Sequence, residues 1–369
     1  SAGHYEIRLS EAEDYEQLIA SIRGDGLRLG NVVHLMGFGP PATSVNAERD
    51  RSSLSVLFLA RSLSSVAADS TMRLVVAGSR TQHLDAETDV EPERRAVLGL
   101  LQTIVQEMPG IDTRHVDVTE NDLSASAEAI VNELRALGQE REVAYRQGVR
   151  YVSRFERLGL PSAAQHDLPF KSGGMYVLTG GLGGVGVEIG KFLLQQYGVR
   201  LLVLGRTPVT EGASSQELER RQSYETLGAA VAGQAAVRYE SVDVTDAARV
   251  RTAVQAASQE WGCSLDGVIH LAGVFRDRLL LEETPASFHE TCLPKLDGSA
   301  ALAGLLDRGD QLFIAFSSAT GYFGRFSGGG YAAASRGLDA LVQNIRRRGV
   351  NAYSFAWSEW EDLGMMRGW

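Results

Sequence analysis

The stretch Met175-Tyr176-Val177-Leu178-Thr179-Gly180-Gly181-Leu182-Gly183-Gly184-Val185-Gly186 decides the fold of this chain. An apolar run of strand character stops in a glycine-rich turn, and an amphipathic helical pattern over Val185–Gln196 follows at once. Strand, glycine turn and helix in that order are the context in which a dinucleotide fingerprint carries meaning. Glycine permits the tight turn and lets backbone N–H groups approach a pyrophosphate, which the helix N-terminus favours through its dipole. Gly181, Gly183 and Gly186 satisfy G-x-G-x-x-G, while Thr179, Gly180, Gly184 and Gly186 satisfy the short-chain variant T-G-x-x-x-G-x-G. Leu182 and Val185 complete the expected cofactor loop.

Working outward, the next strand ends Val203-Leu204-Gly205-Arg206-Thr207. An NAD site would place an acid there for the ribose 2′-OH. Arg206 suits a 2′-phosphate instead, because a guanidinium binds phosphate bidentately, so the expected cofactor is NADPH. Asp243-Val244 follows the third strand, where an acid caps the adenine pocket, and Ala272-Gly273 follows the fourth, where small residues let the cofactor pass.

The same rhythm extends over the whole chain. Strands are expected at Tyr5–Leu9, Asn31–Met36, Met72–Ala77 and Thr113–Val118, with helices at Ala12–Ile22, Arg49–Val66, Pro92–Met108 and Leu123–Leu137 and a β-rich tail at Glu142–Leu158. After a Gly/Pro-rich stretch from Leu158 to Gly174, strands are expected at Met175–Thr179, Leu201–Gly205, Val237–Val242, Gly267–Leu271, Leu312–Phe316 and Ala352–Phe355. Helices between them fall at Val185–Gln196, Gln216–Leu227, Ala247–Glu260, Ala286–Leu306 and Tyr331–Arg348. Alternating βα units imply parallel sheets covered by helices. The fold class is therefore α/β, with two Rossmann-like doubly wound halves. Residues 1–165 form a structural half and residues 166–369 a catalytic, cofactor-binding half. An echo supports the pairing: His115-Val116-Asp117-Val118-Thr119-Glu120 resembles Ser241-Val242-Asp243-Val244-Thr245-Asp246. In the first half, Gly37-Phe38-Gly39-Pro40-Pro41 and Gly78-Ser79-Arg80 open no clear helix, so no cofactor site is expected there.

Composition narrows the function. The net charge of −10, with no basic stripe, argues against a nucleic-acid partner. No apolar run reaches the length of a membrane span, and the Ser1-Ala2-Gly3-His4 start lacks a secretory signal, so a cytoplasmic location is expected. Cys263 and Cys292 sit in no metal-ligand spacing, and no metal is expected. Of 36 basic residues only Lys171, Lys191 and Lys295 are lysines, which makes a lysine at a useful position conspicuous.

Ser318 ends the fifth strand of the second half, and Tyr331 opens the next helix thirteen residues later, after Gly328-Gly329-Gly330. Both point toward the carboxyl edge of the sheet, where α/β proteins bind ligands. A tyrosine can protonate a carbonyl oxygen as hydride arrives, but its reference pKa of about 10 calls for a nearby cation. This half resembles the short-chain dehydrogenase/reductase superfamily, whose usual Tyr-x-x-x-Lys reads Tyr331-Ala332-Ala333-Ala334-Ser335 here. The lysine lies instead on the preceding helix, in Pro294-Lys295-Leu296-Asp297-Gly298. That displacement is the pattern of ketoreductase domains of modular polyketide synthases and of the related animal-type fatty acid synthase. Gly267-Val268-Ile269-His270-Leu271-Ala272-Gly273-Val274, Phe316-Ser317-Ser318 and Ala356-Trp357-Ser358-Glu359-Trp360 extend the resemblance. Gly99-Leu100-Leu101-Gln102-Thr103 and Glu142-Val143-Ala144-Tyr145-Arg146-Gln147-Gly148 are similar to the family's truncated structural subdomain.

The resemblance implies reduction of a β-ketoacyl thioester carried on the phosphopantetheine of an acyl carrier protein, with neighbouring synthase domains in the same polypeptide. Tyr331 would be the general acid, Ser318 would orient the ketone oxygen, and Lys295 would support the tyrosine and its proton relay. Ser335 departs from the family's Asn and would give a modified relay. A silent or epimerase-only scaffold, or a fatty acid synthase ketoreductase, is the alternative reading. Family members giving the D-configured (B-type) alcohol carry Leu-Asp-Asp where this chain has Phe275-Arg276-Asp277, and the opposite type carries Trp where it has Phe323. The retained Asp277 and the absent Trp imply the D-hydroxy product. Family members also continue beyond Gly364-Met365 with a lid and a final strand, which this chain is expected to lack. His270 and His289 read as structural, Trp357 and Trp360 as packing, and Glu211–Arg221 as a solvated helix face.

Overall fold

In β1 (Asn31–Gly37), β2 (Met72–Gly78) and β3 (Ile111–Asp117) the apolar runs become parallel neighbours, with Val33 opposite Val75 and Val76 opposite His115. The computed structural model describes residues 3–67, 71–84, 89–159, 168–210, 212, 214–360 and 363. Two compact units divide the chain. The first holds Ser1–Glu156, Arg276–Cys292 and Ser318–Ala340, the second Arg157–Phe275, Leu293–Ser317 and Leu341–Trp369. The 165/166 division and the segment from Gly364 onward fall on residues outside the described ones.

In the first unit the sheet runs β1-β2-β3-β4-β5, with the tail predicted as β-rich forming a hairpin of β4 (Glu142–Arg146) and β5 (Val149–Val152). Its helices are α1 (Ala12–Gly24), α2 (Val45–Arg49), α3 (Ser55–Ser64), α4 (Pro92–Glu107) and α5 (Leu123–Arg135). Pro92 sits at the start of α4, where its missing N–H costs nothing, and Leu98, Leu100, Leu101 and Ile104 are buried. Strand order follows chain order in this sheet.

Two expectations in this unit need correction. Tyr5–Leu9 is not a strand: its alternation reflects ties to α1, with Arg8 bonded to Asp14 at 2.7 Å and Tyr5 to Asp25 at 2.6 Å. The helix expected over Arg49–Val66 starts earlier, where the Ser44 hydroxyl accepts from Ala47 N–H, and passes through a π-helical turn at Asp50–Leu54.

The second unit carries the six-stranded sheet, ordered β11-β10-β9-β6-β7-β8. The strands are β6 (Met175–Thr179), β7 (Arg200–Gly205), β8 (Ala236–Ser241), β9 (Leu265–His270), β10 (Leu312–Ser318) and β11 (Asn351–Trp357). β6 is fully buried and pairs in parallel with β7 on one side and β9 on the other. The chain therefore leaves β6 for opposite directions, and the switch point lies at its carboxyl end, at Thr179. Helices α6 (Gly184–Tyr197), α7 (Ser215–Ala229) and α8 (Ala247–Trp261) belong to this unit, with Leu193, Leu201 and Leu227 in its core. Ser214 and Glu217 form a reciprocal capping box at the start of α7. Residues 211 and 213 of the predicted charged run lie outside the described ones.

The single helix expected over Ala286–Leu306 is two, α9 (Pro285–Lys295) and α10 (Asp297–Ala303). Pro294 has no N–H to continue the ladder, and the break follows at Leu296. α11 (Thr320–Phe323) and α12 (Gly329–Arg347) complete the order. The echo occupies corresponding places: each copy closes the third strand of its sheet and precedes a helix capped by an aspartate, Asp122 and Asp246.

Candidate active site

The cofactor loop is built by close backbone approach in the second unit. Gly180 has φ +68, and a Cβ on it would lie 3.0 Å from the Ala272 nitrogen. A Cβ on Gly186 would lie 2.6 Å from the Gly180 carbonyl oxygen, and one on Gly181 would enter the Leu178 side chain at 2.8 Å. Gly183 N–H donates to the Gly180 carbonyl at 3.0 Å, closing the turn just before α6. These positions form a cradle that side chains would fill, and a fourteen-residue helix starts from it, so the residues present fit a dinucleotide. Leu182 and Val185 are partly buried in the same turn.

The other predicted cofactor residues gather at the same edge of this sheet. Arg206 is exposed just past β7, and its carbonyl accepts from the Ser241 hydroxyl. Asp243 accepts from Thr245 N–H at 2.9 Å and from its hydroxyl at 2.8 Å, a local turn that fixes the carboxylate. Val244 is buried, and a Cβ on Gly298 would meet it at 2.6 Å. Gly273 lies beside Lys295, whose Cε would be 3.4 Å from an added Cβ.

Lys295 is 2% exposed, and its ammonium donates to the Phe316 carbonyl at 2.8 Å. A buried ammonium needs such acceptors. His270 holds the same region together. Its Nε2 lies 2.9 Å from the Pro294 carbonyl, which can only accept, so Nε2 carries the proton. Nδ1 then accepts from the Thr179 hydroxyl at 2.6 Å, and Thr179 accepts from Ala272 N–H at 3.2 Å. Burial, then the nearby Lys295 charge, pushes the His270 pKa down to about 3, so the imidazole stays neutral. The residue expected to be merely structural thus ties the glycine turn to the lysine helix within this unit.

The first unit carries the other side chains predicted to be catalytic. Ser318 is 8% exposed and accepts from Thr320 N–H and hydroxyl at 3.2 and 3.0 Å. Tyr331 is half-buried in the first turn of α12, and Ser335 is fully buried one turn later on the same face. A Cβ on Gly321 would lie 3.4 Å from the Ser335 Cβ, so α11 packs closely there. Asp277 accepts from the Ser327 hydroxyl. Phe323 is 63% exposed and stacks on Phe155 with centroids 5.2 Å apart. Phe275, the last residue of its stretch in the second unit, is partly buried.

The remaining predicted residues have structural contacts. His289 bonds Asp50 at 2.8 Å and Arg49 at 3.2 Å within the first unit. Trp357 stacks on Phe316 at 5.7 Å and packs against Trp360 at 4.9 Å. Sequence reasoning missed Thr103, Gln106 and Glu107, which bond the loop before Tyr331. The only sequence signal is their i, i+3, i+4 spacing, which places them on one helix face.

The parallel sheet of the second unit, with its glycine turn at the switch point, is of the short-chain reductase class. A family model described as KR domain matches residues 174–362, and the chain belongs to that family: it is a ketoreductase domain of the kind found in polyketide synthases, an oxidoreductase acting on a ketone. A second model, described as Beta-ketoacyl synthase-like, N-terminal, matches residues 1–135. That stretch contains no cysteine, so acyl transfer through a cysteine thiolate has no nucleophile in it.

Among relatives, the polyketide synthase GfsA of Streptomyces halstedii is 32% identical over 299 residues, covering 80% of this chain and 4% of that one. The structure of an adenylation, ketoreductase and pseudo Asub multidomain portion of a keto acid-selecting NRPS module superposes with a TM-score of 0.86. It is 27% identical, covering 95% of this chain and 30% of that one. PlmKR1, the ketoreductase from the first module of phoslactomycin biosynthesis in Streptomyces sp. HK803, gives 0.72 at 25% identity, covering 92% and 72%. The chain spans between 4% and 15% of the length of the curated relatives it matches. Among the described residues no helix is long and apolar enough to cross a membrane.

Proposed function

We propose that this chain reduces the ketone of a β-ketoacyl thioester held on an acyl carrier protein, with NADPH as reductant, and yields the D-configured alcohol. The observation that carries the reading is Lys295: a lysine 2% exposed, committed to the Phe316 carbonyl, beside the small Gly273 that ends the cofactor edge. A lysine buried at that cost has a task beyond solvation.

Thr179 to Gly186, Arg206, Asp243, Val244, Ala272 and Gly273 would hold the nicotinamide cofactor, with Arg206 recognising the 2′-phosphate. The bound cofactor supplies the hydride. The Ser318 hydroxyl orients the ketone oxygen, and the Tyr331 hydroxyl gives it a proton as the carbonyl is reduced. Lys295, whose ammonium donates to the Phe316 carbonyl, would support Tyr331 and its proton relay. The buried Ser335 hydroxyl relays the replacement proton. Asp277 and Phe275, with Phe323 in place of a bulkier indole, set the face of the ketone that is presented. The neighbouring partners are the carrier protein and the other domains of a synthase polypeptide, in the cytoplasm.

A second substrate reading, a carrier-bound keto acid of the kind selected by a peptide synthetase module, is favoured by the TM-score of 0.86 over 95% of this chain. Steady-state reduction of a diketide β-ketoacyl thioester and of a keto acid thioester, with chiral analysis of each alcohol, separates the two. The proposal expects the higher kcat/KM for the β-ketoacyl thioester and a D-configured alcohol. Preference for the other thioester, or an L-configured alcohol, overturns the corresponding part.

A further inference from the structure

One face of α4 is given over to the backbone of the two loops that flank the catalytic helix start, all within the first unit. Thr103, Gln106 and Glu107 lie at i, i+3 and i+4. Thr103 Oγ1 accepts from Arg325 N–H at 3.4 Å, and Gln106 Nε2 donates to the Phe323 carbonyl at 2.6 Å. Glu107 Oε1 accepts from Ser327 N–H at 2.8 Å. Its other oxygen, Oε2, accepts from Leu280 N–H at 2.6 Å. A single carboxylate thus holds two segments 47 residues apart in sequence, Leu280 and Ser327. Those segments also hold each other, through Arg278 N–H to the Ser327 carbonyl at 2.8 Å and through Ser327 to Asp277.

The clamp carries real constraint. Ser327 sits at φ +55, a left-handed conformation that a serine adopts only where its surroundings fix it. Gly324 has φ +69, and a Cβ there would lie 2.6 Å from the Gln102 carbonyl, so the loop rests directly on α4. Gly329, two residues before Tyr331, meets Leu280 at 2.3 Å from an added Cβ. Leu280 thus packs directly on the first turn of α12.

We propose that Glu107 is a positioning residue that fixes the Asp277 and Ser327 loops against each other and so sets stereoselectivity and substrate fit at Tyr331. The assignment rests on the functional reading above in taking these loops as the substrate border. It gives α4 of the structural subdomain a direct part in specificity.

The test compares wild type with Glu107→Ala and Glu107→Gln, using a diketide β-ketoacyl thioester and amide hydrogen exchange of the same proteins. Glu107→Ala loses both acceptors. Its ratio of major to minor alcohol enantiomer is expected to fall at least about tenfold, with KM raised and NADPH affinity unchanged. Glu107→Gln keeps one acceptor oxygen and should fall between, which keeps the comparison decisive if the alanine variant does not fold. Exchange at 278–282 and 325–329 should accelerate in both variants while β2 stays protected. Unchanged enantiomer ratio and unchanged exchange in these loops overturn the clamp. A wild type that reduces neither ketone defeats the functional reading alone, and the exchange result then judges the clamp by itself.

Discussion

At the residue scale, the proposed chemistry rests on side chains whose identity the sequence displayed but whose partners it hid. Lys295 was conspicuous because lysine is scarce in this chain, and it lies buried at the end of α9, bonded to the Phe316 carbonyl. Replacing it with Met keeps the packing and removes the charge, so kcat should fall about 100-fold or more, with little change in NADPH affinity by fluorescence titration. Full turnover in that variant would remove Lys295 from the reaction. Ser335 is fully buried beside Gly321, and Ser335→Ala should lower kcat by about tenfold through loss of one hydrogen-bonding relay group. An unchanged kcat would place the relay elsewhere. The role of His270 was not legible. Its partners Thr179 and Pro294 lie 91 and 24 residues away, and only the fold brings them to the two ring nitrogens.

At the scale of elements, every strand of the second half was legible within two residues of its ends; in β6, β7, β9 and β10 the signal is the continuous apolar run of a buried parallel strand between turn signals. One terminal segment was misleading. Tyr5–Leu9 alternates like a strand, yet its polar residues serve α1, and alternation alone does not supply a neighbour to pair with. The helix expected over Ala286–Leu306 ignored Pro294, which carries the break in plain view. Packing between helices is where sequence was least informative. A Cβ on Gly99 of α4 would run into the Ala332 carbonyl of α12, the residue after Tyr331. Gly99→Ala must therefore push the two helices apart. It should destabilise the first unit by about 1–3 kcal/mol and reduce kcat more than NADPH affinity. Urea denaturation with parallel kinetics checks this, and wild-type values in both would show that the contact is slack.

At the scale of the whole molecule, both units contain neutral histidines held away from water. Burial pushes His34 down to about 4 and His270 to about 3; burial, reinforced by Arg336 and Arg95, pushes His115 to about 3. The unfolded chain has histidine pKa values near 6.5, so below that pH it binds protons that the folded units do not. Stability is fully present above about pH 6.5 and falls as the pH drops toward the folded values. The loss approaches about 1.4 kcal/mol per pH unit for each histidine. With His34 and His115 in the first unit and His270 in the second, the first should be the more acid-sensitive from this source. Urea midpoints between pH 5 and 7 test it, and a flat profile would contradict it. The two sheets differ in order: the first keeps chain order, while the second reverses direction at β6, the kind of place where α/β folds bind ligands. The most direct measurement of the central claim is NADPH oxidation with a β-ketoacyl thioester, comparing wild type with Tyr331→Phe. The account predicts oxidation matched by alcohol formation in the wild type. In Tyr331→Phe it predicts a rate about 100- to 10,000-fold lower with cofactor binding retained. A wild type inert toward the thioester, or a Tyr331→Phe enzyme as fast as the wild type, would contradict it.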